Sequence, residues 1–297
     1  MRYDMAAEVL PGQLRRAALA LPLEMRRTAE EIRLRGGREM TVLLPDGERG
    51  CGVQVQQGDL EALCNLAAEF SRYAAVETLR QGYLTLRGGC RVGFCGTVVM
   101  KDDVPVNLKD FSSASIRIAR EKRGIAEGLA ERLMDERGFR STLLLSPPGG
   151  GKTTLLRELV RKLSCGEGAF PAQRISLADE RGEIAVLRQG VAQMDVGPRT
   201  DVLDGCPKAQ AIPMLLRCMN PQIIAVDEIT LREDLRAMTM AANCGVGLLA
   251  TIHAADVEEL RRKPLCRELL DAGVFQLAVI LRTEKGRRSW TVEELPC

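Results

Sequence analysis

The sequence predicts an α/β fold: a mainly parallel sheet with helices on both faces, preceded by a smaller α+β domain. Three observations predict it. Short, continuous apolar runs recur at 142–145, 174–178, 222–226 and 246–252. Helical patterning fills the intervals, over 152–164 and about 205–218 and 231–243. Strands that are apolar throughout and alternate with helices belong to a parallel sheet buried on both faces. Before that the texture differs, with strand-like alternations broken by glycine pairs. The expected domains are therefore 1–125 and 126–297.

Along the first domain, 5–21 reads as one amphipathic helix. Glu31 to Arg35 (E-I-R-L-R) alternates as a strand and stops at Gly36-Gly37. A second strand spans 40–44 and closes on Pro45-Asp46-Gly47. Residues 59–71 place Leu60, Leu63, Leu66, Ala67 and Phe70 on one helical face. Strands are expected at 83–86 and 91–100, around Gly88-Gly89, and at 115–119. A loop is expected at Asp102-Asp103, and a helix at 125–137.

Bulk properties narrow the function. A chain of 297 residues, 45% hydrophobic and 28% charged, is an ordinary globular protein with room for two domains. Only 3% of residues are aromatic, a poor supply for stacking single-stranded bases, and the net charge of +2 carries no polyanion signature. No nucleic-acid partner is therefore expected. No run approaches the ~20 apolar residues of a membrane span, and Asp4 and Glu8 break any leader-like start. A cytoplasmic location is expected. The ten cysteines form no C-x-x-C pair, and His253 is the only histidine, so they read as reduced core thiols rather than zinc ligands.

The chemistry concentrates after residue 141. Ser146-Pro147-Pro148-Gly149-Gly150-Gly151-Lys152-Thr153-Thr154 matches G-x-x-x-x-G-K-[ST], apart from Ser146 at the first glycine. An apolar strand precedes it and a helical run follows. Such glycines let backbone N–H groups turn toward phosphate oxygens, and the helix N-terminus adds partial positive charge. Lys152 is expected on the β- and γ-phosphates of ATP, and the Thr153 hydroxyl on Mg²⁺. Asp227-Glu228 end the apolar strand I-I-A-V. Asp227 suits Mg²⁺ and Glu228 the attacking water, because base catalysis needs a carboxylate within hydrogen-bond reach. The next strand ends Thr251-Ile252-His253. The resemblance to P-loop ATPases implies that it lies between the other two. Strand carboxyl ends gather ligands, so Thr251 and His253 are expected to aim at the γ-phosphate. Asp179, Glu180 and Glu183 follow a fourth strand end. They read either as groups orienting water or Mg²⁺ or as a salt-bridged loop.

In this order the motifs resemble those of the secretion-ATPase superfamily, the type II and type IV secretion and pilus motors: P-loop, acidic box at Asp179-Glu180, Asp227-Glu228, and T-x-H-A at Thr251 to Ala254. The match is closer to the stage III sporulation AA branch. It is carried by E-I-R-L-R, by Q-G-Y-L-T-L-R-G-G-C-R-V-G from Gln81, by S-I-R-I-A-R from Ser115, by D-E-R-G-E-I-A from Asp179 and by R-T-D-V-L-D-G-C-P-K-A from Arg199. Ser146 and Thr230 depart from that family's usual glycines.

The resemblance implies a RecA-like P-loop ATPase core using ATP and Mg²⁺, with Glu228, Lys152, His253 and Glu180 in the active centre. It implies a homo-hexameric ring in the mother cell, held to the membrane through the membrane proteins of a sporulation channel or secretion complex. Arginines of the N-terminal domain complete the site in such rings. Arg117 and Arg120 fit that role and Arg199 less well; the alternative is surface ion pairing. A nucleic-acid-stimulated motor and an ATP-binding platform with little turnover are the rival readings.

Overall fold

The computed structural model of the chain describes residues 1–68, 83–101, 104–119, 121, 123–284 and 287–295. Arg120, the loop expected at Asp102-Asp103, Gln81-Gly82 and the end of the helix expected over 59–71 lie outside the described residues. Two compact units emerge, Met1–Arg120 with Arg188–Gln193, and Glu121–Leu187 with Met194–Cys297. The first unit closes at Arg120, ahead of 125, and takes in the excursion Arg188–Gln193.

The first unit is built on a six-stranded antiparallel sheet. Its strands are β1 (Glu31–Arg35), β2 (Glu39–Leu44), β3 (Gly47–Gln54), β4 (Tyr83–Thr85), β5 (Arg91–Lys101) and β6 (Val104–Arg117), in the order β3-β2-β1-β6-β5-β4. Alternation decides its faces. Ile32, Leu34, Val42, Val92 and Ile116 point into one core with Tyr3, Leu14, Leu60 and Leu63 of the helices. On the other face Arg35 pairs with Glu48 at 3.1 Å. The single helix expected over 5–21 is two, Arg2–Ala7 and Gly12–Ala20. Pro11 stands between them, and a proline is excluded from a helix interior by its missing N–H and its ring. The strand expected at 115–119 is the end of the longer β6.

In the second unit, β9 (Thr142–Ser146), β10 (Ile175–Asp179), β13 (Thr200–Asp204), β14 (Ile223–Val226), β15 (Gly247–His253), β16 (Leu277–Glu284) and β17 (Arg287–Glu294) form one sheet. Its order is β13-β10-β14-β15-β9-β16-β17, parallel except for the antiparallel edge strand β17. Every residue of β9, β10 and β14 is buried. Leu143 and Leu145 face one core and Leu144 the other, so helices cover both faces. β15 lies between β9 and β14, as expected of the P-loop class. The helix expected over 125–137 is only Leu129–Arg132, followed by a two-strand ribbon of β7 (Met134–Asp135) and β8 (Gly138–Phe139). Gly128 and Gly138, at φ 67° and 123°, take the backbone out of the helical region on both sides. A further ribbon, β11 (Leu187–Arg188) with β12 (Val191–Ala192), completes the described strands; all of it but Leu187 falls in the excursion grouped with the first unit.

Among the described residues no helix is long and apolar enough to cross a membrane. The fold class is α/β with a smaller antiparallel-sheet domain, as expected from the apolar strand runs.

Candidate nucleotide site

Parallel strands deliver their carboxyl ends to one edge of a sheet, where ligands gather. Here β14, β15 and β9 are adjacent; β9 and β15 end at Ser146 and His253, and Asp227 follows the last residue of β14. A cleft of about 360 Å³ opens at that edge, lined by Gly149, Gly151, Lys152, Thr153, Thr154, Glu183, Asp227, Glu228 and His253.

The loop from Ser146 to Gly151 turns on left-handed glycines, Gly149 at φ 74° and Gly151 at φ 96°. Ser146 is fully buried, and its hydroxyl donates to the Pro147 carbonyl at 2.9 Å. A Cβ at Gly150 would lie 1.7 Å from that hydroxyl, so the side chain in place of the first glycine fits only because position 150 has none. The helix Lys152–Cys165 starts at Gly151 with no side-chain cap. Its first N–H groups therefore face the cleft as ready anion donors. Lys152 Nζ donates to the Ser146 carbonyl at 3.0 Å and to His253 Nδ1 at 2.8 Å. Burial lowers the Lys152 ammonium pKa, and the nearby Asp227 and Glu228 act against that.

Asp227 is held by two hydroxyls. Thr153 donates to Oδ2 at 2.8 Å and the fully buried Thr251 to Oδ1 at 2.5 Å. Thr251 Oγ1 also accepts the Glu228 N–H at 2.8 Å. That bond secures Glu228 in the left-handed region at φ 51°, a costly conformation for a non-glycine residue and one often kept at working sites. Thr251, expected to aim at the γ-phosphate, thus serves the acidic pair instead. Thr251→Val keeps the shape, removes both bonds and leaves the Glu228 N–H without this acceptor. Its unfolding free energy should fall by about 1–3 kcal/mol, with Thr251→Ser retaining most of it. Denaturant titration checks this; equal midpoints for Thr251→Val and the parent would refute the tie.

Glu228 Oε1 lies 2.8 Å from His253 Nε2. Because Lys152 has only protons to give, His253 Nδ1 must accept from it, so the neutral ring carries its proton on Nε2 and donates to Glu228. Glu228 Oε2 accepts from Arg181 Nη1 at 2.5 Å. Lys263 Nζ anchors the His253 carbonyl at 2.6 Å.

The acidic loop after β10 divides its labour in a way the sequence left open. Asp179 is 1% exposed and accepts the N–H groups of Glu183 (2.9 Å), Ile184 (3.0 Å) and Ala185 (2.8 Å). Burial pushes its carboxyl up, with those N–H groups opposing. Glu180 pairs with the buried Lys208 Nζ and does not line the cleft. Burial acts to raise its carboxyl, but the Lys208 ammonium outweighs this and holds it below the usual range. Glu183 does line the cleft, and Arg157 holds the loop by donating to the carbonyls of Ile184 (2.6 Å) and Glu183 (2.5 Å). In the first unit Arg117 is 77% exposed and bonds Glu31 at 3.2 Å. The exposed Arg199 stands just before β13, at the edge of the sheet opposite the cleft.

Mg²⁺ takes a few protein oxygens and otherwise phosphate and water. The Thr153 hydroxyl and the Asp227 carboxylate, hydrogen-bonded to each other at the cleft wall, fit that donor set. No group of three or more His, Cys, Asp or Glu suited to a metal cage occurs among the described residues.

Comparison with known proteins bears on the family and the fold. The pilus retraction motor PilT, solved with bound ADP, superposes with a TM-score of 0.61 at 15% identity, covering 92% of this chain and 82% of that one. The ATPase DotB of Yersinia pseudotuberculosis gives 0.59 at 12% identity over 95% and 79%. At such identities the likeness speaks for the fold alone. Stage III sporulation protein AA of Bacillus subtilis (strain 168) is 36% identical over 284 residues, 94% of this chain and 91% of the relative. The family model for sporulation stage III, protein AA matches residues 2–291. The chain belongs to the sporulation stage III protein AA family.

Proposed function

We propose that this chain is a Mg²⁺-dependent ATPase motor of the secretion-ATPase type, energising a channel complex between mother cell and forespore during sporulation. One observation carries the chemistry: Lys152, Thr153, Asp227, Glu228 and His253 meet at one cleft, linked directly or through Thr251 by hydrogen bonds of 2.8 Å or less. Kinship with a sporulation protein supports the setting.

In hydrolysis a water oxygen bonds to the γ-phosphorus while the bond to the β–γ bridging oxygen breaks. ADP leaves with that electron pair, and the water proton passes to a Glu228 carboxylate oxygen. Lys152 and the first N–H groups of the helix that follows the loop neutralise the charge building on the phosphoryl oxygens. Thr153 and Asp227 would hold Mg²⁺, which would supply further charge neutralisation at the phosphates. His253, donating to Glu228 and accepting from Lys152, is placed to register the phosphate between them. We assign the protein to a homo-hexameric ring, held to the membrane by partner proteins, with Arg117 or Arg120 reaching a neighbouring subunit's site.

Steady-state ATP hydrolysis with Mg²⁺, followed against protein concentration for the parent and Lys152→Ala, tests the reading. Turnover per subunit should climb with concentration and vanish in the variant. ATP bound but not hydrolysed at any concentration would instead mark an assembly platform, and strong stimulation by DNA or RNA a nucleic-acid motor.

A further inference from the structure

We propose that Arg181 is the positioning residue for Glu228, an inference that rests on the ATPase reading of the cleft. Glu228 rises from the end of β14, and β10 and β15 flank that strand in the sheet. Its two carboxylate oxygens are each taken by one flank: Oε1 by His253 Nε2–H from β15 at 2.8 Å, and Oε2 by Arg181 Nη1 from the loop after β10 at 2.5 Å. An ionised carboxylate offers about four lone-pair sites, so two such donors fix its plane and still leave sites for a water proton.

The loop beneath Arg181 is built to hold it. Asp179 binds three N–H groups of the segment that follows, and Gly182, at φ 61°, returns its own N–H to the Asp179 carbonyl at 3.1 Å. Glu180 is tied to Lys208. The Arg181 side chain is 64% exposed, and an exposed ion pair contributes little to folding. Its work is geometric. It aims the one carboxylate that takes the water's proton, carried on a backbone at φ 51° just past the end of β14.

The test compares hydrolysis by the parent, Arg181→Ala, Arg181→Lys, Glu228→Gln and the Arg181→Ala/Glu228→Gln pair. Arg181→Ala should lower kcat roughly 10- to 100-fold, since a small misplacement of a reacting group costs that much. KM should stay within about twofold, because the ground-state contacts to nucleotide are untouched. Arg181→Lys should recover part of the loss, a point charge lacking the planar fork. Millimolar guanidinium should raise Arg181→Ala but not Glu228→Gln, and the double variant should be no slower than Glu228→Gln alone. A parental kcat in Arg181→Ala beside a dead Glu228→Gln would overturn the proposal and leave the ATPase reading standing. A raised KM at unchanged kcat would make Arg181 a nucleotide contact and overturn it too. A parent without turnover would sink the ATPase reading, and nuclear magnetic resonance of ¹⁵N-arginine protein then decides separately. Slowed rotation of the Arg181 Nη groups, lost in Glu228→Gln, supports the clamp; Nη signals identical in the two proteins overturn it.

Discussion

Glu228→Gln should lower ATP turnover by about 10²- to 10⁴-fold, the usual worth of a positioned general base, while ATP binding should stay near the parent's. The substitution is close to isosteric, and the features that place residue 228 are mostly not its carboxylate. The Glu228 N–H is held by Thr251 Oγ1, and the next residue, Ile229, donates its N–H to the Thr251 carbonyl at 2.9 Å. Glutamine keeps both bonds and the left-handed backbone. It loses the second acceptor oxygen, so either His253 or Arg181 is left facing an amide N–H, and it has no affinity for a water proton. Lys152, Thr153 and the loop glycines, which would carry most of the binding, are untouched. Single-turnover hydrolysis beside equilibrium binding of a fluorescent ATP analogue separates the two effects. Equal losses in both would mean that the change had disturbed the cleft rather than removed its base.

The core of this site was legible because its chemistry is local. Ser146 to Thr154 lie on one strand–loop–helix, and Asp227-Glu228 and Thr251 to His253 each end an apolar strand. Parallel order then brings the strand ends together without further information. What the sequence left open depends on tertiary partners. Nothing in D-E-R-G-E says that Asp179 turns inward onto three N–H groups, that Glu180 finds Lys208 or that Arg181 reaches Glu228. An arginine between carboxylates reads as a solvated charge until the neighbouring strand is known. The strand β3 was missed because G-E-R-G-C-G-V-Q has no apolar alternation, and its burial pattern shows an edge largely open to water. The helix expected over 125–137 failed for a different reason: left-handed glycines outweighed a helical hydrophobic pattern.

Asp179→Ala should remove about 3 kcal/mol or more of stability, the largest folding effect expected of any residue near the cleft. Three N–H groups of the segment Glu183 to Ala185 point at one carboxylate that is almost fully buried, and alanine offers them nothing in return. Asp179→Asn keeps one acceptor oxygen. Placed at the Oδ2 position it retains the bonds to Ile184 and Ala185 and turns only the Glu183 N–H against an amide, so a smaller loss is expected. The two variants also separate under pH. Burial raises the Asp179 carboxyl in the folded protein, so the folded state binds the proton more tightly than the unfolded chain. The stability this group contributes is then full below the unfolded pKa and declines as pH rises through the window up to the folded value. Asparagine cannot titrate, so the margin of the parent over Asp179→Asn should be widest in acid and shrink through that window. Urea titrations at a series of pH values measure both quantities. A margin that grew with pH would mean that the three N–H groups, not burial, govern the carboxyl. Turnover links this loop to the chemistry: Arg181 and Glu183 stand on the segment that Asp179 organises. Asp179→Ala should therefore lose hydrolysis at temperatures where the fold still holds, and Asp179→Asn should keep a larger share of it.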